Sequence, residues 1–252
     1  MGAVLTPPTI RLRDLTLGYD RHPAVHHLDG AIAPGALLAI CGPNGAGKST
    51  LIKSIVGIVK PMGGAVDFGG ARARETIAYL PQAAQIDLSF PINVFDMAAM
   101  GLWRDIGPFG GVCAAGARKA HEALAAVGLT GFERRQIGAL SGGQTQRLLF
   151  ARLMLQDAPV ILLDEPFSGI DERTVGDLLA LMARWRGEGR TIVAVLHDFD
   201  MVRRRFPETL LLAREKIYWG PTEAALSPDN LARARQMIEA FDDQAQACAR
   251  AL

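Results

Sequence analysis

The densest chemistry in this chain sits in one short stretch. Gly42-Pro43-Asn44-Gly45-Ala46-Gly47-Lys48-Ser49, followed by Thr50, fits the spacing G-x-x-x-x-G-K-[ST]. It follows the apolar run Ala36 to Cys41 and precedes Leu51, Ile55 and Ile58 on what reads as one helical face. A buried strand, a Gly-rich turn and a helix from about Lys48 are expected. Such glycines let backbone N–H groups turn inward around phosphate oxygens. The helix N-terminus adds a fixed positive partial charge. Lys48 would then reach the terminal phosphates of a polyphosphate, and Ser49 would ligate Mg²⁺. The plainer alternative is a Gly-rich turn with an exposed lysine.

Two carboxylates supply the complementary chemistry. Asp164 ends the apolar run Val160 to Leu163, at the C-terminal edge of an expected buried strand, where ligands bind in open α/β sheets. A carboxylate there can hold Mg²⁺ through water. Glu165 follows directly, and a second negative charge beside a polyphosphate is costly unless it orients an attacking water. The alternative is a solvated acidic turn before Pro166. A third feature is Leu140-Ser141-Gly142-Gly143-Gln144. Ser141 and Gln144 fit a capping box ahead of a helix carrying Leu148, Leu149, Leu153 and Leu155. Gly142 and Gly143 weaken a helix start. They make sense where bare amides and a Ser hydroxyl must approach an anion closely.

These groups need a scaffold, and the rest of the chain describes one. Ile10 to Leu17 alternates like a half-exposed strand, and Ile77–Leu80, Val160–Leu163, Thr191–Leu196 and Thr209–Leu212 read as buried strands. Short apolar runs separated by helices indicate a parallel sheet covered on both faces. Helical patterns dominate from about Asp87 to Asp157, with a Gly-rich break at Gly107 to Gly116. The expected organisation is one domain over 1–252. An α/β core spans 1–86 and 158–226, a helical subdomain 87–157, and a helical tail 227–252. In the tail, Ser227 is the expected N-cap, Pro228 the first helical residue, and Leu231, Ile238 and Phe241 lie roughly on one side. The extreme end is expected to fray.

Composition narrows the function. The 252 residues carry 27 Lys plus Arg against 26 Asp plus Glu, so no strongly basic nucleic-acid binder is expected. Cys41, Cys113 and Cys248 form no CxxC pair, which disfavours a disulfide framework or a cysteine zinc site and fits a reducing compartment. No apolar run approaches the roughly 20 residues of a membrane helix. The start, MGAVLTPPTIRLRD, does not read as a secretory signal. Work at a membrane would require another chain as anchor.

Taken in order, the motifs resemble those of the ATP-binding subunits of ABC transporters. The resemblance covers Tyr19 as aromatic loop, Gly42 to Thr50 as phosphate loop and Gln82 in Tyr-Leu-Pro-Gln as glutamine loop. It continues with Leu140 to Gln144 as signature, Val160 to Glu165 as Mg²⁺ strand, Ser168 to Asp171 as D-loop and His197 as switch histidine. The resemblance implies a P-loop ABC ATPase fold. Its mostly parallel core sheet is flanked by helices, with N-terminal antiparallel strands and a helical insertion. It also implies ATP and Mg²⁺ as ligands and a residue-by-residue division of labour. Tyr19 would stack on adenine. Ser49, Gln82 and Asp164 would hold Mg²⁺, and Gln82 would also touch the attacking water. Glu165 would orient that water, and His197 would contact the γ-phosphate. Ser141 and Gly143 would bind the γ-phosphate of ATP held on a second copy, and Asp171 would act across the interface. A head-to-tail homodimer enclosing two ATP molecules follows, opening when hydrolysis removes the bridging phosphate. Thr145 departs from the longer polar residue common in relatives.

The transported cargo leaves weaker traces. Phe90 to Gly101, Phe206 to Arg214, Trp219 to Thr222 and the long loop at Gly107 to Gly116 resemble zinc- and manganese-importer ATPases. Zinc is expected ahead of manganese. The implied setting is peripheral, on the cytoplasmic face of the inner membrane. The implied partners are membrane permease subunits, with an extracytoplasmic metal-binding protein acting indirectly and no nucleic acid. The alternatives are an ATPase of another transport system, for iron chelates or haem, and a soluble ABC ATPase of iron–sulfur assembly. His22, His26 and His27 invite a zinc-sensing reading, but the stretch reads as a solvated turn before a strand. His121 and Arg203 to Arg205 read as solvated surface.

Overall fold

The computed structural model describes residues 6–19, 22–70, 77–82, 87–107 and 110–239. Phe241, Cys248 and the expected frayed end lie outside the described residues, as does the side chain of Ile238. The chain opens with β1 (Ile10–Tyr19) and β2 (His22–Ile32), which pair antiparallel; β4 (Gly63–Asp67) flanks β1 on its other side. Ile10, Leu12, Leu15 and Leu17 are buried, and Asp14 sits at φ 45° where the register shifts. That bulge keeps Leu15 and Leu17 on the inner face after the double polar step Arg13-Asp14.

The second sheet has six strands in the order β5, β6, β7, β3, β8, β9. They are β5 (Ile77–Leu80), β6 (Val160–Asp164), β7 (Thr191–Val195), β3 (Leu37–Cys41), β8 (Glu208–Ala213) and β9 (Glu215–Pro221). The first five are parallel, and β9 pairs antiparallel at the edge. Strands β3, β6 and β7 are buried at every residue, as the apolar runs predict. Leu38, Ile40, Leu162, Val193 and Leu212 face α1 (Lys48–Val56) and the antiparallel sheet. Ala39, Cys41, Ile161, Leu163 and Ala194 face the opposite layer of helices.

Among the described residues, four α-helices lie between β5 and β6: α2 (Val94–Ala99), α3 (Trp103–Ile106), α4 (Ala114–Ala126) and α5 (Gly142–Gln156). On α5, Leu148, Leu149 and Leu153 are essentially buried. Beyond β6 come α6 (Glu172–Gly187), α7 (Phe199–Arg205), α8 (Thr222–Ala225) and α9 (Pro228–Glu239). Ser227 Oγ accepts from the Asn230 amide at 3.4 Å, and Leu231 packs on the core. No described helix is long and apolar enough to cross a membrane.

Two expectations need correction. Ile58 does not share the buried face of α1. That helix ends at Val56, Gly57 takes a left-handed conformation at φ 96°, and Ile58 is 61% exposed. A helical period carried past a C-cap glycine loses its meaning. The histidine stretch is strand from His22 onward rather than turn. His26 is partly buried, and burial holds its pKa below the ordinary value. His27 stands at φ 44° with Nδ1 2.6 Å from Asp14 Oδ1. No group of three metal-ligating side chains occurs among the described residues.

The remaining surface histidine and arginines are exposed. His121 tilts over Phe95 at 5.1 Å, and Arg203 donates to the Leu226 carbonyl at 2.8 Å. The stretch around Trp219 has a structural role that the sequence did not disclose. Trp219 lies over Gly30 of β2, where a Cβ would come within 2.3 Å of the ring, and its Nε1 donates to Glu208.

Candidate functional site

The site collects at the C-terminal ends of four adjacent parallel strands, β5, β6, β7 and β3. Each strand end delivers one part: Gln82 just after β5, Asp164 and Glu165 at the end of β6, His197 after β7, and the phosphate loop after β3. The loop turns on left-handed glycines. Gly47 is the N-cap of α1 at φ 88°, and a Cβ there would meet Val25 Cγ2 at 2.4 Å and Ala24 O at 2.6 Å. Gly42 has φ 149°, with a Cβ position 1.9 Å from Leu212 O. Neither position accepts a side chain without moving backbone.

Lys48 is 5% exposed and donates from Nζ to Gly42 O at 2.8 Å and Pro43 O at 2.7 Å. Burial holds its pKa below the ordinary lysine value, opposed by the carboxylates of Glu165 and Asp164 and by Cys41. The ammonium is thus held inside the loop by two carbonyls, close to where anionic oxygens would replace them.

Ser49 Oγ donates to Asp164 Oδ1 at 2.9 Å. Asp164 is fully buried, and its Oδ2 has no hydrogen-bond partner. Burial raises its pKa, with the neighbouring Glu165 charge adding to the rise. A buried carboxylate oxygen without a donor is costly. A hard divalent cation takes oxygen ligands of this kind, so the Ser49–Asp164 pair fits Mg²⁺.

Glu165 sits one residue on, at φ 51°, a left-handed conformation unusual for a residue with a side chain. Its carboxylate makes two contacts. Gln82 Nε2 donates to Oε2 at 2.8 Å, and His197 Nε2 lies 2.7 Å from Oε1. From Glu165 and His197 a groove of about 710 Å³ runs between α6 and α7.

The signature residues form a second cluster. Ser141 caps α5: its Oγ accepts from the Gln144 amide at 3.3 Å, and Gln144 Oε1 accepts from the Ser141 amide at 3.0 Å. Ser141 and Gly142 are exposed. Asp171 caps α6, accepting from Thr174 N at 2.9 Å and Thr174 Oγ1 at 2.8 Å, and these donors hold its pKa below the usual range. The two helix starts touch: a Cβ on Gly142 would lie 3.3 Å from Gly169 O, and one on Gly143 3.4 Å from Asp171 Oδ2.

The predicted residues therefore fall into three groups. Lys48, Ser49, Gln82, Asp164, Glu165 and His197 come together at the sheet edge. Ser141, Gly142, Gly143, Gln144 and Asp171 come together elsewhere, and no hydrogen bond among the described residues joins them to the first group. Tyr19 stands at the end of β1, 52% exposed. Sequence reasoning missed how α5 is tied to the segment that follows β6. Gln146 Nε2 donates to Pro166 O at 2.7 Å, and Arg147 donates to Thr174 Oγ1 at 2.8 Å. The available signal was a buried amide within an apolar helix face, since Gln146 is 1% exposed.

Comparison with known proteins places this geometry. The family model described as ABC transporter matches residues 25–168. The chain is 39% identical over 225 residues to the manganese transport system ATP-binding protein MntB of Listeria monocytogenes, covering 88% of this chain and 94% of that protein. It is 38% identical over 235 residues to the zinc transport system ATP-binding protein TroB of Treponema pallidum, covering 91% and 87%. Among solved structures, it superposes with a TM-score of 0.79 and 28% identity on an ABC transporter assigned to the metal-chelate type, in an inward-facing conformation. That match covers 91% of this chain and 89% of the other.

Proposed function

The chain belongs to the ABC transporter family of ATP-hydrolysing subunits, and from that premise we propose that it drives import of a divalent metal, zinc ahead of manganese. The reading takes its main support from Glu165, held between Gln82 and His197 beside the buried Ser49–Asp164 pair. For the metal, support comes from the relatives named for manganese and zinc transport. A second reading, import of a metal chelate, draws on the metal-chelate type transporter.

In this reading Tyr19 stacks on adenine. Amides of Gly42 to Thr50 wrap the phosphates, and Lys48 exchanges its two loop carbonyls for β- and γ-phosphate oxygens. Ser49, Asp164 and Gln82 hold Mg²⁺, whose charge offsets that of the terminal phosphates. Glu165 orients water for in-line attack, and His197 contacts the γ-phosphate. Ser141 and Gly143 of a second copy complete the pocket from the far side, and Asp171 acts at the same interface. This division accounts for an exposed helix tip that, among the described residues, makes no hydrogen bond to its own phosphate loop. Hydrolysis removes the shared γ-phosphate and the dimer opens, a ligand with different affinity for closed and open states.

The subunit works peripherally, on the cytoplasmic side of a membrane, docked to separate permease chains. An extracytoplasmic metal-binding protein delivers the ion. The exposed Phe90, Met100 and Trp103, on and around α2 and α3, suit such docking. Metal uptake by cells lacking this chain tests the reading. Zinc or manganese uptake falls and returns with the wild-type chain but not with Glu165→Gln. Equal uptake of zinc, manganese and iron with and without the chain overturns it.

A further inference from the structure

Gln146 is a buried amide on an apolar stretch of α5. It is 1% exposed, and Leu148, Leu149, Phe150, Ala151 and Leu153 of the same helix are buried too. Its Nε2 donates to Pro166 O at 2.7 Å, while its Oε1 has no hydrogen-bond partner among the described residues. A buried acceptor left unpaired costs stability. An apolar side chain of similar length would avoid that cost, so packing alone does not account for an amide here.

The group it holds does account for it. Pro166 directly follows Glu165, whose backbone stands at φ 51°. Such a conformation persists where the surroundings over-determine it. On one side the turn is fixed by β6, where Asp164 pairs in register with Val195. On the other, Glu165 O accepts from Ser168 N at 3.3 Å, a long bond. Pro166 has no N–H, so its carbonyl is the one polar backbone group by which it can be held. Gln146 holds that carbonyl with a shorter, buried bond. Loss of the bond would loosen the turn at the residue next to the carboxylate that Gln82 and His197 flank.

We propose that Gln146 is a positioning residue for Glu165. By clamping Pro166 O from α5, it keeps the turn in the left-handed conformation that sets the carboxylate between Gln82 and His197. The inference rests on the reading of Glu165 as the group that orients water. It ties that group to the helix that Ser141 caps, so the geometry at Glu165 depends on where α5 sits.

Phosphate release by the full chain under single-turnover and steady-state conditions tests this. The variants are Gln146→Met and Gln146→Leu, each alone and combined with Glu165→Gln. Both lack the donor and also the orphaned acceptor, so each should melt within about 5 °C of wild type. Each alone should lower turnover about tenfold, with KM for ATP changed by no more than about twofold. Added to Glu165→Gln, neither should lower turnover further, because the charge it positions is already gone. Thr145→Val removes a buried hydroxyl on the same helix that has no partner among the described residues, and should leave turnover unchanged. Turnover within about twofold of wild type in both single variants overturns the inference and leaves Glu165 in its role. An equal loss in the Glu165→Gln background or in Thr145→Val also overturns it. So does a KM that rises in step with the loss of turnover, or a melt lowered by more than about 5 °C in both variants, which marks the amide as structural only. Wild-type turnover in Glu165→Gln overturns the reading of the site, and the inference with it.

Discussion

His197 Nε2 lies 2.7 Å from Oε1 of Glu165, while the other carboxylate oxygen accepts from Gln82. Three elements distant in sequence thus meet on one carboxylate at the edge of the sheet. Replacing Glu165 by Gln keeps the shape and removes the negative charge. ATPase turnover should fall by about 10²-fold or more, while ATP binding persists and the dimer accumulates. Steady-state phosphate release and sedimentation measure the two effects. Turnover within twofold of wild type would remove Glu165 from the reaction.

Asp164 gives a prediction with a defined pH sign. Burial and the adjacent Glu165 raise its pKa in the fold. Its ionised form therefore destabilises the nucleotide-free protein. That penalty is complete above the raised folded value and vanishes below the ordinary unfolded one. Asp164→Asn should stabilise the nucleotide-free protein by about 1 kcal/mol near neutral pH. The gain should shrink as pH falls from the folded value towards the unfolded one. Thermal melts across pH check this. The same variant should lose most Mg²⁺-dependent ATPase activity.

Ser141 separates a structural role from a catalytic one. Its hydroxyl caps α5, so Ser141→Ala should cost about 1 kcal/mol in stability. If the hydroxyl also meets a γ-phosphate across the dimer, ATPase activity should fall well beyond what that small loss explains. Ser141→Thr, which keeps the cap, should restore stability more fully than activity. A melt and a kcat for each variant decide the matter.

The described cysteines should differ in reactivity. Cys41 is fully buried at the end of β3, and burial pushes its thiol up to about 12. Cys113 is exposed at the start of α4, where amides of Gly116 and Ala115 hold its pKa below the ordinary value. In a Cys248→Ser background, a maleimide at pH 7.5 should label Cys113 rapidly and Cys41 only on unfolding. Equal labelling rates in the native protein would contradict the buried position of Cys41.

Residues close in sequence announced themselves. The strand, glycine turn and helix of Leu37 to Val56 are adjacent along the chain, and their periods and glycine spacing are local properties. The capping box at Ser141 and Gln144 is equally local, as are the unbroken apolar runs of β3, β6 and β7. Spacing does not carry strand order. That Gln82, Asp164, Glu165 and His197 converge follows from β5, β6, β7 and β3 lying side by side, an arrangement set by long-range burial on both faces of the sheet. The end of α1 at Gly57, which strands Ile58 in solvent, and the close approach of Gly142 and Gly143 to residues 169–171 are also tertiary facts. A periodicity identifies which face of an element is apolar, but only packing decides what that face meets.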